Sequence, residues 1–250
     1  MTRVIVSGAG GKLAAPIIAG IAGSDDLELA GLYNPNRAGE VMNGVDVSGD
    51  AAALQADVVV ETVHPDHVFE NLEVWKQSGM AAIVGTSGFT EERLQRLEAL
   101  WGEAGPPCLV VPNFSVGAVL MMEFARTASR YFEAVEIIER HHSTKPDAPS
   151  GTALATAMSI SGSGGESSKG SEELVPGARG ADVAGVRVHA LRLPGLISQQ
   201  EVAMSNVGEV LSIEHLSTSY ESFANGALLA VRKVRDLDPG VHLGLAALLE

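Results

Sequence analysis

The amino-acid sequence predicts an α/β fold whose first half is a doubly wound parallel sheet, and three observations lead to it. Short apolar runs of strand length alternate with stretches of helix length as far as Val111. A glycine-rich turn stands between the first such run and the first helix. From Glu133 onward the character changes, with an apolar-acidic strand pattern leading into a loop dense in histidine, lysine, serine and glycine.

The elements follow in order. Arg3 to Ser7 is an apolar strand that ends in Gly8-Ala9-Gly10-Gly11-Lys12-Leu13-Ala14, and Pro16 to Ala22 reads as a helix. Leu27 to Tyr33 is the second strand. Val58 to Val63, Ala81 to Val84 and Leu109 to Val111 are further strands, separated by helices over Pro65 to Gly79 and Glu91 to Ala104. Ligands of such sheets lie at the carboxyl ends of the strands. There this chain places Gly8, His64, Gly85-Thr86-Ser87-Gly88 and Pro112-Asn113-Phe114-Ser115.

Gly8 and Gly11 match a G-x-x-G turn, and Ala14 stands where the last glycine of the longer fingerprint would fall. Glycines let the backbone approach a pyrophosphate, whose charge then meets the N–H groups of a helix N-terminus. A purely structural turn would use the same residues, so the weight comes from the strands around it. The end of the second strand, where an acidic residue would bond the ribose of NAD, carries Asn34 with Arg37 close behind. Asparagine can still bond a hydroxyl and arginine can meet a 2′-phosphate, which leans toward NADPH; a polar turn Asn34-Pro35-Asn36 accounts for them equally well. His64 and His67 have metal-like spacing without a second ligand cluster, and read as a solvated helix-start turn.

The run Arg140-His141-His142-Ser143-Thr144-Lys145-Pro146-Asp147-Ala148-Pro149-Ser150-Gly151-Thr152 precedes a helix from Ala153 to Ile160. Ser150 or Asp147 can cap that helix, and the N–H groups of Gly151 and Thr152 would then face a carboxylate. Lys145 adds positive charge. Histidine changes charge near neutral pH, so His141 can deliver a proton to a ring carbon or a leaving hydroxyl while hydride arrives from the other side.

Composition narrows the partners. Seventeen basic against thirty-one acidic residues give a net charge of −14, which repels nucleic acid and anionic lipid. Apolar stretches such as Ala227 to Val231 are far short of the ~20 residues of a membrane span. The N-terminus enters a strand at once, without the pattern of an export signal. Cys108 is the single cysteine, read as a buried filler, and a cytoplasmic protein without disulfides is the simplest expectation.

Glu139 to Leu154 resembles the E-x-H-H-x-x-K-x-D-A-P-S-G-T-A signature of the dihydrodipicolinate reductase family, whose members are also called 4-hydroxy-tetrahydrodipicolinate reductases. Gly8 to Lys12, Val84 to Phe89, Pro112 to Gly117, Pro176 to Gly180 and Gln200 to Val202 look like its other motifs, so the likeness spans nearly the whole chain. It implies a Rossmann-like dinucleotide domain over residues 1–114 and 222–250. It also implies a second α+β domain with a mixed sheet over 115–221, for substrate binding and for pairing into a homotetramer. NADPH or NADH would lie with its pyrophosphate on Gly8, Ala9, Gly10, Gly11, Lys12 and Leu13. Its nicotinamide would lie beside Gly85, Thr86 and Ser87 and beside Val111, Pro112, Asn113 and Phe114.

By the same resemblance hydride passes to C4 of a small cyclic dicarboxylate imine in lysine and diaminopimelate biosynthesis. His141 would donate or accept a proton and Lys145 would be a second proton donor. His142, Lys145, Ser150, Gly151 and Thr152 would hold the substrate. The chain departs from the family pattern at Ala14, at Glu61-Thr62-Val63, and at Tyr220, where an arginine is expected. A tyrosine offers no fixed charge. A paralogous reductase or dehydrogenase acting on a related cyclic imine is therefore the alternative reading. Ser161 to Ser171 is of low complexity and reads as a mobile surface loop.

Overall fold

The computed structural model describes residues 1–86, 88–161 and 172–249; Ser87, and all of the Ser161 to Ser171 stretch after Ser161 itself, lie outside the described residues. Two compact units emerge, Met1–Val116 with Tyr220–Glu250, and Gly117–Ser219. The first contains β1 (Thr2–Ser7), α1 (Ala14–Ala22), β2 (Leu27–Tyr33), β3 (Val41–Met42), β4 (Val45–Ser48), β5 (Val58–Glu61), α2 (Val68–Gln77), β6 (Ala81–Val84), α3 (Glu91–Trp101) and β7 (Pro107–Val110). After α4 (Val116–Ala128), the second contains β8 (Ala134–His141), α5 (Gly151–Ile160), β9 (Ala181–Val183), β10 (Val186–Arg192), β11 (Ser198–Asn206) and β12 (Glu209–Ser217). The first unit is completed by α6 (Ser222–Lys233) and β13 (Gly240–Leu243).

The sheet of the first unit has eight strands in the order β13-β7-β6-β5-β1-β2-β4-β3. All neighbours are parallel except β3 and β4. Strands covered on both faces cannot alternate apolar with polar, and every residue of β5 and β6 is buried. The chain leaves β1 for β2 on one side and later lays β5 on the other. That reversal opens a crevice at the carboxyl ends of β1 and β5, where Gly8 and Thr62 stand. The doubly wound parallel architecture expected from the sequence is the one found.

Details differ for physical reasons. Helix α1 starts at Ala14, so Pro16 lies inside its first turn, where the missing N–H has no intrahelical partner to lose. Glu61, the last residue of β5, is fully buried; it accepts hydrogen bonds from Trp75 Nε1 at 2.7 Å, Ser7 Oγ at 3.0 Å and the Val63 amide at 3.1 Å. Burial pushes its carboxyl up, against the downward pull of those donors. Cys108 lies within the hydrophobic core beside Trp75, Leu97 and Trp101, and burial raises its thiol.

The second unit is a five-stranded mixed sheet in the order β12-β11-β8-β10-β9. On β8, Val135, Ile137 and Glu139 are buried and their neighbours less so, the period of two that a sheet with one covered face demands. Across the sheet Ile137 aligns with Val188 of β10 and Val202 of β11. These pack against Met121 and Ala125 of α4 and against Ala153, Ala157 and Ile160 of α5.

One close approach fixes α6. A Cβ on Gly226 would lie 1.9 Å from the Phe114 carbonyl oxygen. Overpacking of about 1–3 kcal/mol exceeds the ~1 kcal/mol that alanine gains in helix propensity. Gly226→Ala is therefore expected to unfold at lower urea than the unaltered protein; an unchanged midpoint would mean that α6 shifts freely.

Candidate functional site

In the first unit the chain leaves β1 through Gly8 and Gly10, both at φ +88°. A Cβ on Gly8 would lie 2.8 Å from Thr62 Oγ1, and one on Gly10 2.8 Å from the Arg37 guanidinium carbon. Only bare backbone fits. The Gly8 and Ala9 amides donate to the Tyr33 carbonyl at 2.9 and 3.1 Å, folding the loop back onto the end of β2. Asn34 secures the same junction, donating from Nδ2 to the Ala9 carbonyl at 2.7 Å while its Oδ1 accepts from the Asn36 amide at 3.0 Å. Gly10, Gly11 and Lys12 stay exposed, whereas Ala9 is buried.

Gly8, Gly10, Gly11, Asn34, Arg37 and Thr62 border a cavity of about 600 Å³, within the ~300–1,000 Å³ common for small-molecule sites. Arg37 donates to Glu40 at 3.1 Å. His64 and His67 stand on the cavity's rim, with His64 Nδ1 3.3 Å from Asp66. A dinucleotide fits these residues: the turn offers backbone that side chains would block, with cations beside it and no carboxylate at the Asn34 position.

The other cofactor candidates gather at the ends of β6 and β7. The Val111 amide donates to the Val84 carbonyl at 2.9 Å and Thr86 Oγ1 to the Val63 carbonyl at 2.9 Å. A Cβ on Gly85 would lie 2.3 Å from Phe114 Cε2 and 3.4 Å from Leu13 Cδ2, so Gly85, Phe114 and Leu13 are neighbours. Asn113 Oδ1 accepts from the Ser115 amide at 2.8 Å, and Pro112 is exposed. This cluster does not border the cavity at Gly8. Strand β6 lies two strands from β1, about 10 Å away, a distance an extended dinucleotide spans.

In the second unit His141 is the last residue of β8 and falls on the face that also carries Val135, Ile137 and Glu139. Glu139 is fully buried, and its Oε2 lies 2.6 Å from His141 Nδ1. Arg192 of β10, aligned with His141 across the parallel pair, donates to both Glu139 oxygens at 2.8 Å. The Ser150 amide donates to Glu139 Oε1 at 3.1 Å, and Ser150 Oγ caps α5 by accepting from the Ala153 amide at 3.2 Å. Gly151 and Thr152 are the first two residues of α5.

Of the two capping candidates, Asp147 is otherwise engaged: both its carboxylate oxygens accept from Lys145 Nζ at 2.8 Å, and its carbonyl accepts from Arg192. His142 Nδ1 meets Thr144 Oγ1 at 2.8 Å. His141, Lys145 and Ser150 are thus joined by one network that runs through Glu139, Arg192 and Asp147.

Electrostatics in that network are dominated by one carboxylate. Burial pushes the Glu139 carboxyl up, but the hydrogen bonds and charges of His141 and Arg192 outweigh it and hold it at about 2. Asp147 lies below the usual range, desolvation being outweighed by the Lys145 hydrogen bond. The hydrogen bond from Arg192 to Glu139 raises the guanidinium in turn. Sequence reasoning assigned no task to Glu139 and did not single out Arg192. The usable signal was alternation, which turns Glu139 inward and calls for an inward cation on a neighbouring strand. Tyr220 opens the return of the chain to the first unit, its ring 6.1 Å from that of Phe223.

The family model described as the N-terminus of dihydrodipicolinate reductase matches residues 2–114, and that described as its C-terminus matches residues 117–249. The 4-hydroxy-tetrahydrodipicolinate reductase of Mycolicibacterium gilvum is 43% identical over 99% of both chains. That of Enterococcus faecalis is 40% identical over 94% of this chain and 95% of its own. A solved dipicolinate-bound dihydrodipicolinate reductase from Paenisporosarcina sp. TG-14 matches with a TM-score of 0.86 at 32% identity, covering 99% of each chain.

Glu139 also sets an acid limit. Its folded-state pKa of about 2 lies below the ordinary 4.5, so its contribution is present above pH ~4.5 and is lost as pH falls toward ~2. Urea unfolding measured across that window should show stability dropping with acid, and Glu139→Gln should flatten the slope. An equal slope in both proteins would contradict the assignment.

Proposed function

The chain belongs to the dihydrodipicolinate reductase family of NAD(P)H-dependent oxidoreductases, and from that premise we propose that it reduces 4-hydroxy-tetrahydrodipicolinate to tetrahydrodipicolinate in lysine and diaminopimelate biosynthesis. Substrate, NAD(P)H and one proton become product, NAD(P)⁺ and water. The observation that carries this reading is the network at the end of β8. It joins an imidazole, an ammonium group and a helix N-terminus, the three chemistries that a small anionic imine needs.

A reduced nicotinamide, when bound, supplies the hydride. In this reading Gly8 to Leu13, with Asn34 and Arg37, hold the dinucleotide, and Gly85, Thr86, Ser87 and Val111 to Phe114 flank its nicotinamide. Gly151 and Thr152 receive the substrate carboxylates on the first amides of α5, assisted by Ser150 and His142. Lys145 exchanges Asp147 for the substrate anion and, as second proton donor, protonates the hydroxyl that leaves as water, a proton offset by the one the ring loses in the same elimination. His141 delivers the proton that balances the hydride. Residues 1–114 and 222–250 make the dinucleotide domain and 115–221 the substrate domain. A cytoplasmic location and a homotetramer belong to the same reading, and exposed Val210, Leu211 and Leu216 on the edge strand β12 support association.

Tyr220, in place of the expected arginine, favours one other reading, a related cyclic imine as substrate. Full rescue of a diaminopimelate auxotroph would reject it.

With substrate generated in situ by a coupled synthase, NADPH or NADH should be oxidised; no absorbance loss at any substrate concentration would overturn the proposal. His141→Ala is expected to lower kcat about 10²–10⁴-fold with a much smaller change in KM, whereas Thr152→Val should chiefly raise KM. Arg37→Ala should raise KM for NADPH more than for NADH, because only the former carries a 2′-phosphate for the guanidinium.

A further inference from the structure

The Glu139 carboxylate does more than complete an ion pair. It is paired bidentately with Arg192, receives the Ser150 amide, and uses its remaining close contact on His141 Nδ1 at 2.6 Å. An ionised carboxylate has no proton to give, so His141 Nδ1 must carry one and donate it. The hydrogen bond at one ring nitrogen of a histidine decides what the other can do. Other groups near this pair act in the same sense: the Arg192 guanidinium is committed to both Glu139 oxygens, and Asp147 is committed to Lys145.

We propose that Glu139 is a positioning residue for the reduction: it holds His141 with Nδ1–H toward its own carboxylate, so that the transferred proton leaves from Nε2. Arg192 cancels the buried charge and occupies both oxygens, which keeps Glu139 from becoming the base itself. This rests on the reductase reading above. In the proton step the Nε2–H bond breaks and its electron pair stays on the ring. The proton passes to the substrate, and a neutral Nδ1–H imidazole remains. With 14% of its side chain exposed, His141 can be reprotonated by water. A tautomer with the proton on Nε2 and none on Nδ1 would face the carboxylate with a lone pair, and is excluded by repulsion at that distance.

Glu139→Gln tests this through geometry. The amide NH₂ cannot occupy the Oε1 position, where Arg192 and the Ser150 amide both donate. With two donors at Oε1 against the single Arg192 donor at Oε2, it takes the Oε2 position, gives up that one arginine bond and donates to His141 Nδ1, which forces the proton of the neutral ring onto Nε2. Nitrogen-15 NMR of the imidazole in the full-length protein, assigned with His141→Asn, reads the tautomer directly. The expectation is Nδ1–H in the unaltered protein and Nε2–H in Glu139→Gln. That variant should also lose kcat by about 100-fold or more, with KM and NAD(P)H affinity within about threefold.

Nε2–H in the unaltered neutral ring, or full turnover by a folded Glu139→Gln, would overturn the proposal. Should the variant not fold, the tautomer of the unaltered protein decides alone. If the unaltered protein reduces no imine, the reductase reading fails by itself, because the tautomer measurement needs no turnover.

Discussion

A carboxylate taken out of water loses several kcal/mol of solvation unless charge and hydrogen bonds replace it, and Glu139, fully buried on the inner face of β8, faces that requirement in full. Arg192 answers with two parallel donors from β10, and the Ser150 amide adds a third at the start of α5. The remaining parts of the second unit's candidate site follow from this arrangement. His141 is held at Nδ1, α5 is anchored at its cap, and the Arg192 contact to the Asp147 carbonyl ties down the loop that presents Lys145.

Glu61 in the first unit meets the same requirement differently. It is equally buried, but Trp75, Ser7 and the Val63 amide surround it with neutral donors and no cation. Burial therefore drives its carboxyl up, where His141 and Arg192 together hold that of Glu139 down. Glu61 joins β5 to β1 and α2 beneath the surface, whereas Thr62 borders the cavity and limits residue 8 to glycine.

The chain's strands were legible because buried parallel strands need unbroken apolar runs, as at Val58-Val59-Val60 and Ala81-Ala82-Ile83-Val84. The turn at Gly8 was legible for a related reason: positive φ leaves a glycine signature. Strands β3, β4 and β13 left no such mark, since short strands at or next to a sheet edge take their register from neighbours more than from their own pattern. The start of α1 was misplaced because Pro16 reads as a helix start, although the first turn accepts proline anywhere its amide is not needed.

By itself, the sequence determined which chemistries are present: a glycine turn after a strand, and a histidine, a lysine and a capped helix within a dozen residues. Those are local facts, set by backbone propensity and side-chain type. Only the tertiary structure decided who partners whom. Arg192 lies 53 positions from Glu139, and a parallel register, which no local pattern encodes, brings its fork against that carboxylate. The same applies to Arg37, whose packing against Gly10 depends on β2 returning beside β1. Long-range pairing is settled by the packing of whole elements, and for that reason it became visible only once the chain was folded.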